Sequence, residues 1–244
     1  TFIVLVEKTY TEAGEVLSAI RQEFSENPML KAVYGDLIGK TADGKEPEKV
    51  KDTEGDMFIN GIRLRAKGFN VPIRGLKSKQ YRPSRIVLDD CESDEHVRSE
   101  EQRRKYAENY TQGIIPAVDI QGTIKVFGTI LSEASLLAGL IETHSGLIYS
   151  AFDPNLNVET DKERIEPTLL WPSRWTYDRL LKKFQEMRYE GLGDSRFSTE
   201  FLNRPLAESS RIFKQEWLNK TFNEEDLKFR TINRFACFDV AESK

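Results

Sequence analysis

Residues 1–6 read TFIVLV, a continuous apolar and β-branched run that is typical of a strand buried on both faces of a parallel sheet. Thr9 and Glu12 follow with the spacing of a capping box, in which each residue satisfies a backbone N–H at the start of a helix. Apolar residues then recur at helical spacing as far as Asn27 and Pro28. A strand followed directly by a helix is the unit of α/β proteins, so the opening of the chain predicts that fold class.

Further runs along the chain extend the predicted sheet. Residues 58–65 hold an Asn-Gly turn between two apolar segments, which predicts a hairpin because both turn positions need a positive φ. Residues 85–90 (RIVLDD) and 123–130 (TIKVFGTI) are typical of short parallel strands, and Ser132 is predicted to begin the next helix. Residues 146–152 indicate one more strand.

Composition changes after residue 152. The next segment is predicted to be mainly helix and loop, and it includes a helix capped by Thr176. It also holds all three tryptophans, which we interpret as packing anchors. A buried-strand pattern returns at residues 234–240 (RFACFDV). We therefore divide the chain into residues 1–152, 153–232 and 233–244.

The composition excludes several classes of protein. The 244 residues are 39% hydrophobic and 31% charged, which describes a globular chain that can bury a sizeable core. No apolar run approaches the roughly 20 residues of a membrane-spanning helix. The two cysteines, Cys91 and Cys237, exclude a disulfide scaffold and a four-thiolate zinc site, and His96 and His144 lack partners for zinc. The net charge of −4 argues against general coating of nucleic acid, though a local basic patch stays compatible with it.

Asp89 and Asp90 end an apolar strand, at the position where ligands bind in open α/β sheets. Such a strand is typical of the Walker B motif of nucleotide hydrolases, in which the first acid holds Mg²⁺. The second acid can orient and deprotonate the attacking water. The alternative is that the two acids only begin a surface loop.

Residues 35–41 (GDLIGKT) superficially match a phosphate-binding loop. Three residues separate the two glycines, whereas the motif needs four, and no strand directly precedes them. We therefore interpret this segment as an exposed loop. A Walker B strand without a phosphate loop leads us to expect a further segment N-terminal to Thr1.

The chain has eight Lys or Arg residues and no acid between Asp56 and Asp89. This stretch is either a solvated face or a surface that faces a polyanion such as nucleotide phosphates or DNA. Arg74 lies next to Gly75, which lets the backbone approach a neighbour closely. An arginine in such a place can neutralise the charge that develops on a transferring phosphate.

Three sets of motifs follow one another along the chain. The first comprises Asn60-Gly61-x-Arg63 through Gly68, Ile73-Arg74-Gly75, and Arg82-Pro83 through Leu88-Asp89-Asp90-x-Glu92. The second is Val126-Phe127-Gly128-Thr129 followed by a Leu-Leu helix. The third comprises Leu170-Trp171-Pro172, Trp175, Phe201-Leu202-Asn203-Arg204-Pro205, Ile212-Phe213 and Trp217. Together these motifs resemble the large terminase subunit of tailed bacteriophages, the ATP-driven motor that packages double-stranded DNA into a procapsid.

The resemblance implies a fold for each part of the chain. Residues 1–152 would be a parallel-sheet P-loop ATPase core of the ASCE type that lacks its first strand and phosphate loop. Residues 153–232 would be a mostly helical lid and linker, and residues 233–244 the first strand of an RNase H-like nuclease domain.

The resemblance also implies roles for individual residues. Asp89 would hold Mg²⁺, and Asp90 would activate water. Arg74 would act as an arginine finger on the ATP of a neighbouring subunit, and Thr129 would sense the hydrolysed phosphate. Asp239 would be the first nuclease acid, binding Mg²⁺ or Mn²⁺.

One departure from the family concerns the second acid. Many relatives have Glu where Asp90 stands, and the shorter reach of Asp leaves Glu92 as a substitute for the water-activating role.

The partners implied are double-stranded DNA, the phage portal protein and the small terminase subunit. The protein would work as a ring of identical subunits on the portal, in the host cytoplasm and away from any membrane. This chain alone is expected to be inactive, because the phosphate loop and most nuclease acids are outside it. The competing hypotheses are a helicase or other DNA translocase, and a non-catalytic assembly module without a phosphate loop.

Overall fold

A computed structural model describes residues 2–38, 53, 55–189 and 193–205, and the structural statements below concern these residues. The chain divides into two compact units, Thr1–Leu206 and Ala207–Lys244, and the described residues all belong to the first.

A five-stranded mixed sheet forms the centre of the first unit. Four of its strands are parallel: β1 (Phe2–Glu7), β3 (Ile62–Gly68), β4 (Arg85–Asp89) and β5 (Thr123–Phe127). The fifth strand, β2 (Asp56–Ile59), runs antiparallel to β3. The order across the sheet is β2-β3-β1-β4-β5, so β1 and β4 are interior strands. The predicted α/β class and the parallel strands are confirmed.

Helix α1 (Tyr10–Glu26) covers one face of the sheet. Its capping box is formed as predicted, with the Thr9 N–H donating to the Glu12 carboxylate at 2.9 Å and the Glu12 N–H donating to the Thr9 hydroxyl at 3.2 Å. Asn27 ends α1 and caps α2 (Pro28–Tyr34). The helix buries Ala13 and Leu17 against the β2–β3 part of the sheet, which anchors that half of the fold.

The opposite face of the sheet carries the larger core. Here β1 and β4 present alternating apolar residues to α4 (Glu100–Glu108), a π-helical turn (Asn109–Ile114) and a 3₁₀ turn (Ile115–Ala117), and the short helix α3 (Asp94–Arg98) precedes α4. The buried members include Phe2, Val4, Val6, Ile86, Leu88, Tyr106, Tyr110 and Ile114. The Ser99 hydroxyl caps α4 by accepting from the Gln102 N–H at 3.4 Å, and the π-helical turn extends this helix.

The Asn-Gly hairpin is also confirmed. Asn60 has φ 47° and Gly61 has φ 74°, so both turn residues adopt the left-handed conformation that the sequence pattern requires.

Two element boundaries differ from the predictions. β5 ends at Phe127 instead of Ile130, and α5 (Leu136–Thr143) is capped by Ser135 instead of Ser132. The hydroxyl of Ser132 accepts from the N–H of Ala134 at 3.2 Å, which forms a turn ahead of the helix.

The strand predicted at residues 146–152 is wrong. The segment is irregular, and Leu147 and Tyr149 are 78% and 59% exposed. Its last part bonds to the helical region instead of a strand, because the Ala151 N–H donates to Phe201 O at 2.8 Å and the Leu170 N–H donates to Ala151 O at 2.9 Å.

A second core forms within residues 151–205. It is built by α6 (Lys162–Ile165), a 3₁₀ turn (Glu166–Thr168), α7 (Tyr177–Tyr189) and α8 (Gly193–Leu202). The helix predicted after Thr176 is confirmed as α7, which buries Leu180, Phe184 and Met187.

The tryptophan prediction is only partly right. Trp175 packs edge-on against Phe201, with ring centroids 5.1 Å apart. Trp171 is 54% exposed, with the Arg174 guanidinium 5.0 Å above its ring, so it is not a core anchor. Trp217 lies outside the described residues, as do the predicted strand at 234–240, Asp239 and residues 39–41 of the glycine-containing loop.

Candidate functional site

The candidate site lies at the carboxyl edge of the parallel strands. Val6 pairs with Leu88 and Asp89 pairs with Phe127, so β1, β4 and β5 end side by side. The strand ends therefore bring Glu7, Asp89, Asp90 and the Gly128-Thr129 segment to the same edge of the sheet.

Asp90 stands directly beyond β4 in the left-handed conformation, with φ 41°. Its N–H donates to the Phe127 carbonyl at 3.2 Å, which ties it to the end of β5. A Cβ atom added to Gly128 would lie 3.2 Å from the Asp90 Oδ1 atom, so the glycine gives the carboxylate its room.

A cavity of about 280 Å³ opens at this edge. Asp90, Glu92 and Thr129 line it together with Lys8 from the end of β1, and Glu200 of α8 borders it. The structure thus brings together three of the residues predicted from the sequence. Asp89 lies beside the cavity, at the end of its strand, and does not line it.

The acids at this edge repel one another. Burial, followed by the charge of Asp90, raises the pKa of Asp89 above its usual value. Burial, followed by the charges of Asp89 and Asp90, raises the pKa of Glu7 to about 7. This concentration of negative charge suits a cation or a proton and opposes the approach of an uncompensated anion.

Glu92 has a different environment from the other acids. Its two carboxylate oxygens accept hydrogen bonds from the N–H groups of Leu136 at 2.8 Å and Leu137 at 3.0 Å. Glu92 therefore caps the start of α5. Both of its carboxylate oxygens are used in this cap, and a base that activates water would need one of them.

Cys91 is buried, and its thiol donates to the Val6 carbonyl at 3.4 Å. Burial raises the pKa of this thiol far above its usual value, so Cys91 is a packing residue and not a nucleophile.

Arg74 lies apart from this cavity. Its neighbour Ile73 is buried, with 1% exposure, whereas Arg74 itself is exposed, and Gly75 has φ 88°. Within the described chain Arg74 has no hydrogen bond or ion pair. The loop thus anchors its backbone and projects a free guanidinium to solvent.

Two members of the basic stretch have structural partners. Arg63 forms a two-pronged pair with Asp56, with Nε donating to Oδ1 at 2.8 Å, and it lies over the ring of Phe2. Arg82 donates to the Pro116 carbonyl at 2.7 Å. These two cations stabilise the fold, so fewer than eight remain to face a polyanion.

Within the described residues no group of three or more His, Cys, Asp or Glu side chains is arranged to hold a metal ion. In the same part of the chain, no helix is long and apolar enough to cross a membrane.

Comparison with models of protein families and with curated proteins finds no match for this chain.

Proposed function

We propose that this chain is part of the ATP-hydrolysing motor of a large terminase subunit, which drives double-stranded DNA into a phage procapsid. The observation that carries the proposal is the carboxyl end of β4, an interior strand of a parallel sheet. Asp89 and Asp90 stand there beside the Gly128-Thr129 segment that follows the neighbouring strand. This arrangement fits the Walker B acids and the coupling segment that the resemblance implies.

The proposed chemistry assigns one task to each group. Asp89 holds Mg²⁺, which would supply charge neutralisation of the terminal phosphates of ATP. Asp90, exposed in the cavity, orients and deprotonates the attacking water. Thr129, on the same cavity wall, contacts the phosphate and responds to hydrolysis. Glu92 is the weaker candidate for the base, because both of its oxygens are bonded to α5.

The free edge of β5 supports the expectation of a further strand. In the described chain β5 pairs with β4 on one side alone. Phe127 is 54% exposed, and a cavity of about 580 Å³ runs along β5 and α5, lined by apolar residues such as Leu140 and Ile141. An edge strand presents unpaired backbone N–H and C=O groups, so this edge of the described sheet is suited to pairing with a further strand, such as one that leads into a phosphate loop.

The exposure of Arg74 supports action between subunits. A free guanidinium on an anchored loop can reach the ATP of a neighbouring copy in a ring, and it lines no part of the Asp90 cavity. We propose this role together with the ring on the portal protein, the supply of DNA by the small terminase subunit and the host cytoplasm as the location.

The nuclease activity is proposed from the resemblance alone. Asp239, its first expected acid, would bind Mg²⁺ or Mn²⁺, and it lies outside the described residues.

The sequence encoded upstream of Thr1 in the gene provides the test of the proposed ATPase. We expect a GxxxxGK[ST] phosphate loop within roughly 40 residues upstream of Thr1. We call this chain together with those residues the extended protein, and we expect it to hydrolyse ATP. The lack of such a loop would contradict the ATPase and favour a non-catalytic assembly module. Helicase motifs in the complete gene would favour a helicase.

A further inference from the structure

Glu7 is a third acid at the site, and the motifs of the sequence do not account for it. It ends β1, is 7% exposed and is one of the few charged residues buried in the described chain. Its carboxylate forms no hydrogen bond or ion pair with the described residues. A carboxylate that is largely removed from water without a donor or a cation is disfavoured in its ionised form, so a cation bound there would stabilise it.

The strand register fixes where the Glu7 side chain lies. Val6 pairs with Leu88 in the parallel β1–β4 ladder, so Glu7 stands next to Asp89. Side chains alternate between the faces of a sheet, and Val6 and Leu88 both belong to the core under the α4 layer. Glu7 and Asp89 therefore share the opposite face, one on each of two adjacent strands.

Lys8 does not compensate Glu7. Its ammonium forms an ion pair with Glu12 at 3.1 Å on the surface of α1. The charges of Asp89 and Asp90 act on Glu7 more strongly than that of Lys8, and they disfavour its ionised form. No cation of the described residues thus pairs with Glu7, which stands beside Asp89 on the same face of the sheet.

We propose that Glu7 and Asp89 together hold one divalent cation, Mg²⁺ or Mn²⁺, between the ends of β1 and β4. Two carboxylates with water in the remaining positions form a normal site for Mg²⁺, which keeps several of its waters. The role of Asp89 rests on the proposed function, whereas Glu7 is an additional ligand. The cation removes the repulsion between the two acids and fixes the Asp89 carboxylate.

The test is titration of the 244-residue chain with Mn²⁺ alone, without nucleotide, followed by electron paramagnetic resonance. We expect saturable Mn²⁺ binding at this site in the unaltered chain. Glu7→Gln and Asp89→Asn should each weaken it by at least about 10-fold, because each removes one of its two protein ligands. Glu95→Gln, which removes an exposed acid of α3, should leave it unchanged.

Thermal unfolding is the measurement that checks whether each variant is folded. Without divalent ions, Glu7→Gln should melt at or above the temperature of the unaltered chain, since it removes a buried charge. Added Mn²⁺ should then raise the melting temperature of the unaltered chain more than that of the variant.

Three results would overturn the proposal: no saturable Mn²⁺ binding, equal binding by Glu7→Gln and the unaltered chain, or an equal loss in Glu95→Gln. Failure of the proposed function is distinguishable from these. An extended protein that hydrolyses no ATP, while Mn²⁺ binding still needs Glu7, would refute the motor and leave the cation site in place.

Discussion

Glu92 and Leu136 join the end of β4 to the start of α5, through a 2.8 Å hydrogen bond from the Leu136 N–H to the Glu92 carboxylate. The second oxygen accepts from Leu137 at 3.0 Å. Glu92 lies two residues beyond Asp90, and α5 follows the segment that contains Thr129. A negative carboxylate at a helix N-terminus is favourable, so this contact couples the two segments of the candidate site.

Removing the Glu92 charge should destabilise the chain. Glu92→Gln keeps the size of the side chain but has only one acceptor oxygen for two N–H groups, so we expect a loss of about 1 kcal/mol in the free energy of unfolding. Urea denaturation measures it. The control is Glu95→Gln, an exposed acid for which we expect a change within about 0.5 kcal/mol. Equal stability of the two variants would show that the cap contributes nothing.

The Asp56–Arg63 pair should stabilise the hairpin. Both side chains are partly buried, at 17% and 22% exposure, and Asp56 raises the pKa of Arg63. We expect Asp56→Asn to cost about 1–3 kcal/mol, because it leaves a half-buried guanidinium without its partner. Chemical denaturation tests this. The control is Asp94→Asn, which changes an exposed acid of α3. If Asp56→Asn lowered the free energy of unfolding no more than this control does, a structural role for the pair would be refuted.

Glu7 should make stability depend on pH. Its pKa is about 7 in the folded chain against 4.5 ordinarily, so between these values the folded state binds more protons than the unfolded state. Stability is then lost as pH rises through this window. Without divalent ions, Glu7→Gln should gain stability relative to the unaltered chain between about pH 5 and about pH 8, by up to about 3 kcal/mol. A difference that stays constant with pH, measured by urea denaturation, would contradict the shift.

Arg74 should matter only in an assembly. Since it is exposed and has no partner in the described chain, Arg74→Ala should change the free energy of unfolding by less than about 0.5 kcal/mol. In the assembled extended protein it should lower ATP turnover by about 10³–10⁵.

Mixed rings provide the control for this prediction. Arg74→Ala subunits combined with Asp90→Asn subunits should recover part of the activity, because each supplies what the other lacks. Mixed rings that stay inactive would indicate that Arg74 acts within its own subunit or is only a surface charge.

The elements that could be predicted are those with local signals. The capping box at Thr9, the Asn60-Gly61 turn and the apolar run before Asp89 each specify their own structure within a few residues. The start of α5 could not be predicted in this way, because Ser132 and Ser135 are both suitable caps. Glu92, 44 residues before Leu136, also bonds the first N–H groups of the helix that follows Ser135.

The same distinction applies to the site. Asp89 and Asp90 are recognisable in the sequence because two acids end an apolar run. Glu7 is likewise the last residue of its strand, but its burial arises from strands that are distant in sequence. In the sequence Arg63 is one of the cations of the basic stretch, and only the hairpin register reveals its pairing with Asp56.

ATP turnover by the Asp90→Asn variant of the extended protein tests the central claim most directly. Nucleotide binding should persist in this variant, since it relies on the phosphate loop and Mg²⁺. Turnover should fall by about 10²–10⁴, which is the contribution of a positioned general base. The unaltered extended protein and its Glu92→Gln variant should both hydrolyse ATP. Turnover by Asp90→Asn near the rate of the unaltered protein would contradict the assignment of this edge of the sheet as the hydrolytic site.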